Sequence, residues 1–539
     1  MLIKSFYSNL SKINKVYEEQ QLPKKLRVWK DKMFDKEKAL GKKHKKIFWL
    51  RPEEANNKNY FIIKDKPEMQ YIRQSKNDVN DCYFLAALGA LCEKCNSEKF
   101  KNNDVIQNLF YITEKTKEKA YGIFFFIDGV RHLVLIDDFL AYYKHKKKYK
   151  LFYSDSTFIT QELWVSLIEK AWAKLKGGYI KIKGGIPATV FEALTGAFTR
   201  RYFLKYYEIE TIEKILKDSK DYLICAGTKD LDFFINFVLK EYHQYTVVKI
   251  ENKIIELRDP FGKIIIISLN KFYQYFFVID VNYFKPNLFV SPINISKEEA
   301  KESQIIQIKN DEENDIYINL YLKKEISSYF MLIKKEENEK YSFIKAITSI
   351  NDDGGFDKHV GIEKKNLEKG IYYIYCDTIF KSNKSNNGYL LNIYSIKNRK
   401  LELENITKKL SSNEKIKIFH ETIKNYIFEF YPKYYKNDDI TKFTKKNIDV
   451  TQVNNWNHFP FEIFHLKNKN NKEVKIEIKI LKEPKEYYYL YNDDGKGKTE
   501  RTINSEQLIC VTKQKYNDKD LLECKLIGKE KEILFKKIK

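Results

Sequence analysis

No stretch of the 539-residue sequence approaches the ~20 consecutive apolar residues that a membrane-spanning helix needs. Met1 to Leu10 contains no signal-peptide core before polar residues return. Cysteine is scarce. Seven in 539 residues, an odd number without a signal, argue against a disulfide framework and for a reducing, cytoplasmic setting. The single C-x-x-C, Cys92 to Cys95, has no second pair, so packing at a helix end is expected there rather than metal ligation. Zinc-finger spacing, an RNP-type strand, a Gly-rich phosphate loop and an EF-hand loop are all absent. The charge is strongly one-sided, with 98 basic against 74 acidic residues and a net +24. The lysines are spread through the whole length among asparagine, isoleucine and tyrosine, so no docking stripe for nucleic acid is formed. The densest run, Lys144-His145-Lys146-Lys147-Lys148, reads as a solvated loop. A hydrophobic content of 43%, with 15% aromatic, is enough for packed cores, and the length implies two to four domains.

What is present centres on Asn80-Asp81-Cys82-Tyr83-Phe84-Leu85-Ala86-Ala87-Leu88-Gly89-Ala90-Leu91. Phe84, Leu85, Leu88 and Leu91 fall on one helical face, and Ala86, Ala87 and Ala90 are strong helix formers. Asp81 stands where a capping side chain would, which places Cys82 in the first turn. There, free N–H groups and the helix dipole favour a thiolate nucleophile over a buried thiol. The alternative is an ordinary core helix whose cysteine is packing material.

Far downstream, the residues from His243 to Ile250 alternate as a strand, Glu251-Asn252-Lys253 suits a turn, and Ile254 to Arg258 reads as the returning strand. Such a hairpin brings His243 towards Asp259 at its open end. A cysteine, a base, and a third group orienting the base make up the triad logic of nucleophilic catalysis.

Asp81-Cys82-Tyr83, His243-Gln244-Tyr245-Thr246 and Arg258-Asp259-Pro260-Phe261-Gly262 resemble three calpain motifs: Gly-Asp-Cys-Trp, His-x-Tyr-Ser and Arg-Asn-Pro-Trp-Gly. Phe48 to Glu54, Ile136-Asp137-Asp138, Leu163 to Tyr179 and Gly184 to Gly196 match further calpain segments in the same order. The resemblance covers roughly residues 22–285. It implies an α+β fold: a two-lobed, papain-like calpain protease core followed by β-sandwich domains. It also implies Cys82 as nucleophile, His243 as base and Asp259 as its orienting partner.

Three departures bear on activity. The family's oxyanion glutamine, six residues before the cysteine, is Lys76 here, and Gln74 is the nearby candidate on a segment about three residues longer. A lost oxyanion donor costs on the order of 10²–10³ in rate. Asp259 replaces the family's asparagine. Its carboxylate still accepts the imidazole N–H, and its charge should raise the histidine pKa. Phe261 replaces the shielding tryptophan. The acidic loop that supplies calcium ligands after Gly262 is missing, since Lys263-Ile264-Ile265-Ile266-Ile267-Ser268 runs almost directly into Phe272 to Phe277. Calcium is therefore implied by the resemblance but short of ligands in the core.

The expected organisation is a helical leader at 1–21, a Cys lobe at 22–185 and a His/Asp lobe at 186–285. A linker from Pro286 to Ser296 then leads to a calpain-type β-sandwich at 298–410, a helix from Lys415 to Phe430, and a β-rich domain at 435–539. Asp352-Asp353-Gly354-Gly355 reads as a loop, and His458 and His465 as ordinary structural residues. The expected function is an intracellular cysteine endopeptidase acting on proteins. The alternative is a catalytically impaired pseudo-protease that binds proteins or a membrane surface through its β domains.

Overall fold

A computed structural model describes residues 28–534, except 42–45, 57–58, 65–66, 69–71, 75–79, 97–104, 128, 155–160, 218–221, 232–237, 285–288, 323–327, 338–339, 350–358, 379–387, 396–400, 432–439, 446, 454–458, 460, 471–473, 481–487, 492–499, 504–505, 514–521 and 528–532. The expected leader, Lys76, the Asp352–Gly355 loop and His458 lie outside the described residues. The chain divides into two compact units, 1–290 and 291–539, and helices combine with antiparallel sheets in an α+β architecture.

In the first unit, helix α1 (Cys82–Asn96) begins at the cysteine. The periodicity predicts one buried face, but every residue from Asp81 to Cys92 is buried. The reason lies in its neighbours. Helices α2 (Trp164–Lys176) and α3 (Pro187–Thr195) and the sheet below enclose it, so small alanines serve where an exposed helix would carry polar residues. Trp172 of α2 stacks on Phe84 at 5.9 Å and donates from Nε1 to the Tyr83 hydroxyl at 3.2 Å. Gly185 is backed directly against Tyr83, where a Cβ would stand 2.5 Å from the ring, so only glycine fits.

The sheet has six strands: β1 (Thr199–Phe203), β2 (Leu223–Thr228), β3 (Gln244–Glu251), β4 (Ile254–Arg258), β5 (Ile264–Ser268) and β6 (Phe276–Asn282). Their order is β5-β4-β3-β2-β6-β1. Alternation decides what each strand buries. Tyr245 and Val247 of β3 join Ile255 and Leu257 of β4 and Ile279 of β6 in one core. The β3–β4 hairpin turns at Asn252 and Lys253, both with positive φ, and carries a bulge between Val247 and Lys249.

In the second unit, two antiparallel sheets enclose a core of Ile306, Ile318, Leu320, Phe330, Leu332, Ile374 and Leu391. The stretch expected as a linker is corrected here, because Phe289–Ile295 is a strand at the edge of one of these sheets. Its apolar residues alternate, and Pro292 is tolerated because an edge strand can spare an N–H. Ser412–Asn425 is helical, opened by a capping box between Ser411 and Glu414. Its Phe419 and Ile423 share a buried cluster with Tyr329 and Phe343 on one side and Val453, Phe459 and Ile463 on the other. His465 is buried against the ring of Phe428. Among the described residues no helix is long and apolar enough to cross a membrane.

Candidate active site

Four described cysteines carry free thiols, and all are buried. Burial separates them. Cys92 and Cys225 are fully enclosed, whereas Cys82 retains 9% exposure and is the thiol a reagent can reach. The chain arrives at it through Asn80, held at φ 48° while its carbonyl accepts from Gly184 N at 2.8 Å. Phe84 N and Leu85 N both donate to the Asp81 carbonyl, at 2.9 and 3.2 Å.

The expected capping role of the Asp81 side chain is corrected by these contacts, since the Phe84 and Leu85 N–H groups go to its carbonyl and neither carboxyl oxygen accepts from them. The side chain turns inward to Glu169 of α2 instead. Burial raises the pKa of both groups, that of Glu169 well above the carboxylate range. Two enclosed carboxyl groups in contact cannot both ionise, so they hold a proton between them. Glu169 also accepts from Ser154 N at 3.2 Å.

His243 precedes β3 and follows Tyr242, which is itself held at φ 47°. The backbone of His243 is fixed by Thr228: His243 N donates to Thr228 Oγ1 at 3.0 Å, and Thr228 N to the His243 carbonyl at 3.0 Å. Its Nε2 lies 3.0 Å from Asp259 Oδ1, which also accepts from Phe261 N at 2.9 Å. With Nε2 engaged, Nδ1 is the nitrogen left for the Cys82 side chain, which neighbours this imidazole and favours its charged form. The hairpin therefore places Cys82, His243 and Asp259 together. Burial opposes charge on His243, but hydrogen bonds and negative charge from Asp259 and Cys82 outweigh it, pushing the pKa up to about 9. Burial likewise opposes the Asp259 carboxylate; the His243 and Phe261 hydrogen bonds override it and hold its pKa below the usual value.

Thr246 Oγ1 donates to the Ala86 carbonyl at 2.7 Å, pinning the histidine strand to the cysteine helix. Gln74, the expected oxyanion donor, is 8% exposed, and its backbone N donates to the Pro260 carbonyl at 2.9 Å. Its side-chain Oε1 is enclosed with no hydrogen-bond partner among the described residues. Arg258 Nη2 anchors the same segment through the Ile72 carbonyl at 2.6 Å. Sequence reasoning missed Glu169 and Thr228 as supports of the site. The available signal for Glu169 was a carboxylate among Val165, Leu167, Ile168 and Trp172 on a helix otherwise buried.

Strand β5 follows Gly262 directly with isoleucine and lysine, and no carboxylate stands there for a hard cation. Among the described residues no group of three or more His, Cys, Asp or Glu is placed to hold a metal.

A cysteine at a helix start, an imidazole and a carboxylate so ordered are the side-chain set of thiol hydrolases. Comparison with known proteins names the family. Residues 29–266 match the calpain family cysteine protease domain. The calpain-1 catalytic subunit of Rattus norvegicus is 26% identical over 247 residues, covering 42% of this chain and 32% of the relative. Calpain-7 of Homo sapiens is 33% identical over 174 residues, covering 30% and 19%. The matches thus span about a third or less of these relatives. Among solved structures, a clostridial cysteine protease after propeptide cleavage overlaps 39% of this chain and 66% of its own, at 10% identity and a TM-score of 0.15.

Proposed function

We propose that this chain is a calpain-like cysteine endopeptidase that hydrolyses peptide bonds in proteins. One observation carries the reading: the His243 imidazole is held by Asp259 Oδ1 at 3.0 Å, and its charged form is favoured by the neighbouring side chain of Cys82, the most accessible of the described thiols. Cys82 Sγ attacks the scissile carbonyl carbon, and a C–S bond forms. The tetrahedral intermediate collapses as the C–N bond breaks, and the proton on His243 Nδ1 passes to the leaving amine. Neutral His243 then takes a proton from water, whose oxygen attacks the acyl-enzyme and releases the thiolate. Asp259 holds Nε2–H throughout, fixing the tautomer and stabilising the imidazolium.

In this reading residues 22–185 and 186–285 are the two papain-like lobes that flank an extended substrate. Residues 298–410 are the calpain-type sandwich, and 435–539 a further β domain. The free described thiols accord with a reducing, intracellular setting. No step is assigned to calcium.

Purified full-length chain is expected to degrade an unfolded protein substrate, and Cys82→Ser to lower that rate by at least about 10³-fold, because a hydroxyl cannot replace the thiolate here. Equal rates for the two proteins, or no cleavage by either, would overturn the proposal.

Gln74 is the proposed side-chain donor to the oxyanion, beside the backbone N–H of Cys82. Gln74→Ala should reduce kcat by about 10²–10³ with KM little changed, the pattern of a contact made only in the transition state. An unchanged kcat would remove Gln74 from the role.

A further inference from the structure

The aromatic ring that lies beside the His243–Asp259 pair has a second neighbour. Phe261 stacks on the His243 imidazole with centroids 5.8 Å apart and planes 21° from parallel. The Lys240 ammonium stands 3.2 Å from the centroid of the same ring, a distance that only an approach over its face permits. Lys240 is exposed, yet its backbone is fixed on both sides. Its N donates to the Tyr245 hydroxyl at 2.7 Å, and its carbonyl accepts from Thr228 Oγ1 at 2.6 Å. Thr228 Oγ1 is also the acceptor for His243 N, so one side chain sets the position of both residues.

We propose that Lys240 is a positioning residue for the catalytic pair: it clamps Phe261 over the His243–Asp259 hydrogen bond and supplies the positive charge that balances a carboxylate at position 259. The assignment rests on the protease reading for its consequence but not for its geometry. An asparagine at 259 would need no counter-charge, whereas Asp259 leaves a buried negative charge when His243 is neutral. Lys240 acts on that charge and helps to hold the Asp259 pKa down. The other charged groups around the pair are the Cys82 side chain on α1, Arg258 next in sequence, and Arg73, whose guanidinium packs on Gly262. On the Lys240 side, Asp230 is engaged by the Tyr242 hydroxyl.

Two readouts separate this inference from the protease reading. The first is the titration of His243, followed by NMR on full-length chain with ¹³C-labelled histidine and assigned with His243→Ala. The second is the rate of Cys82 alkylation by iodoacetamide across pH. Lys240→Met keeps the length of the side chain and removes the charge. It should raise the His243 midpoint by about half a pH unit, since a repelling cation is lost. It should also slow alkylation at neutral pH about threefold as Phe261 loosens. Lys240→Arg should restore both. In a Phe261→Leu background, Met and Lys at 240 should differ by less than half as much in each readout.

A His243 midpoint unchanged in Lys240→Met, or unaffected by whether Phe261 is present, would overturn the assignment. A shifted midpoint with no pH-dependent alkylation of Cys82 in the parent chain would uphold the positioning by Lys240 and overturn the protease reading.

Discussion

Replacing His243 by alanine is expected to slow both alkylation of Cys82 and protein hydrolysis by about 10²–10⁴-fold near neutral pH, the usual worth of a positioned acid–base group. The size follows from the geometry. His243 is nine-tenths or more buried, is held by Asp259 through Nε2 at 3.0 Å, and has its charged form favoured by the neighbouring Cys82 side chain. The pH profile gives a further test. The folded-state pKa of about 9 lies above the ordinary 6.5, so the proton is held at neutral pH and lost as pH rises through 9. The imidazolium's contribution to stability is accordingly complete below about 6.5 and disappears between there and 9. The parent chain should therefore show an alkaline limb near pH 9 in its alkylation rate. His243→Ala should lack that limb and follow only the ordinary ionisation of a thiol. A variant with the parent profile would remove His243 from the site.

The second large effect is on stability. Lys170, on the helix behind the site, is fully buried and donates to the Phe139 carbonyl at 2.6 Å, the Asp137 carbonyl at 3.0 Å and the Asp137 carboxylate. Asp137 is as deeply enclosed and also accepts from Asp31 N at 2.7 Å and Phe139 N at 3.1 Å. Lys170→Met preserves volume but leaves that carboxylate without its cation and two carbonyls without a donor. Breaking one side of such a pair costs about 3–5 kcal/mol. Four of the five tryptophans, Trp29, Trp49, Trp164 and Trp172, lie in the first unit, so fluorescence in a urea titration follows its unfolding. A lower midpoint at unchanged slope, equivalent to that loss, is expected. A change under about 1 kcal/mol would show that the pair is replaceable.

What could be read in advance was local and periodic. The returning strand runs from Ile254 to Arg258, as alternation predicts, because each of its side chains faces either core or solvent. The helix opening at Cys82 was marked by its alanines, and the proximity of His243 to Asp259 followed from one short hairpin. What could not be read was fixed by distant partners. Asp81 looks like a cap until Glu169, 88 positions later, draws its side chain inward. The strand at Phe289–Ile295 was hidden by Pro292, whose cost vanishes only at a sheet edge. Lys240 sits in an irregular segment with no period to betray it, and only the fold brings it onto Phe261.

The most direct measurement is the mass of purified full-length chain after reaction with an epoxide-type cysteine-protease probe, with and without millimolar-range calcium, alongside Cys82→Ser and His243→Ala. A single adduct on Cys82, absent in Cys82→Ser, strongly slowed in His243→Ala and indifferent to calcium, is the result this structure predicts. Folded chain that takes up no probe under either condition would contradict an assembled nucleophile and leave a protein with a protease fold and a binding role.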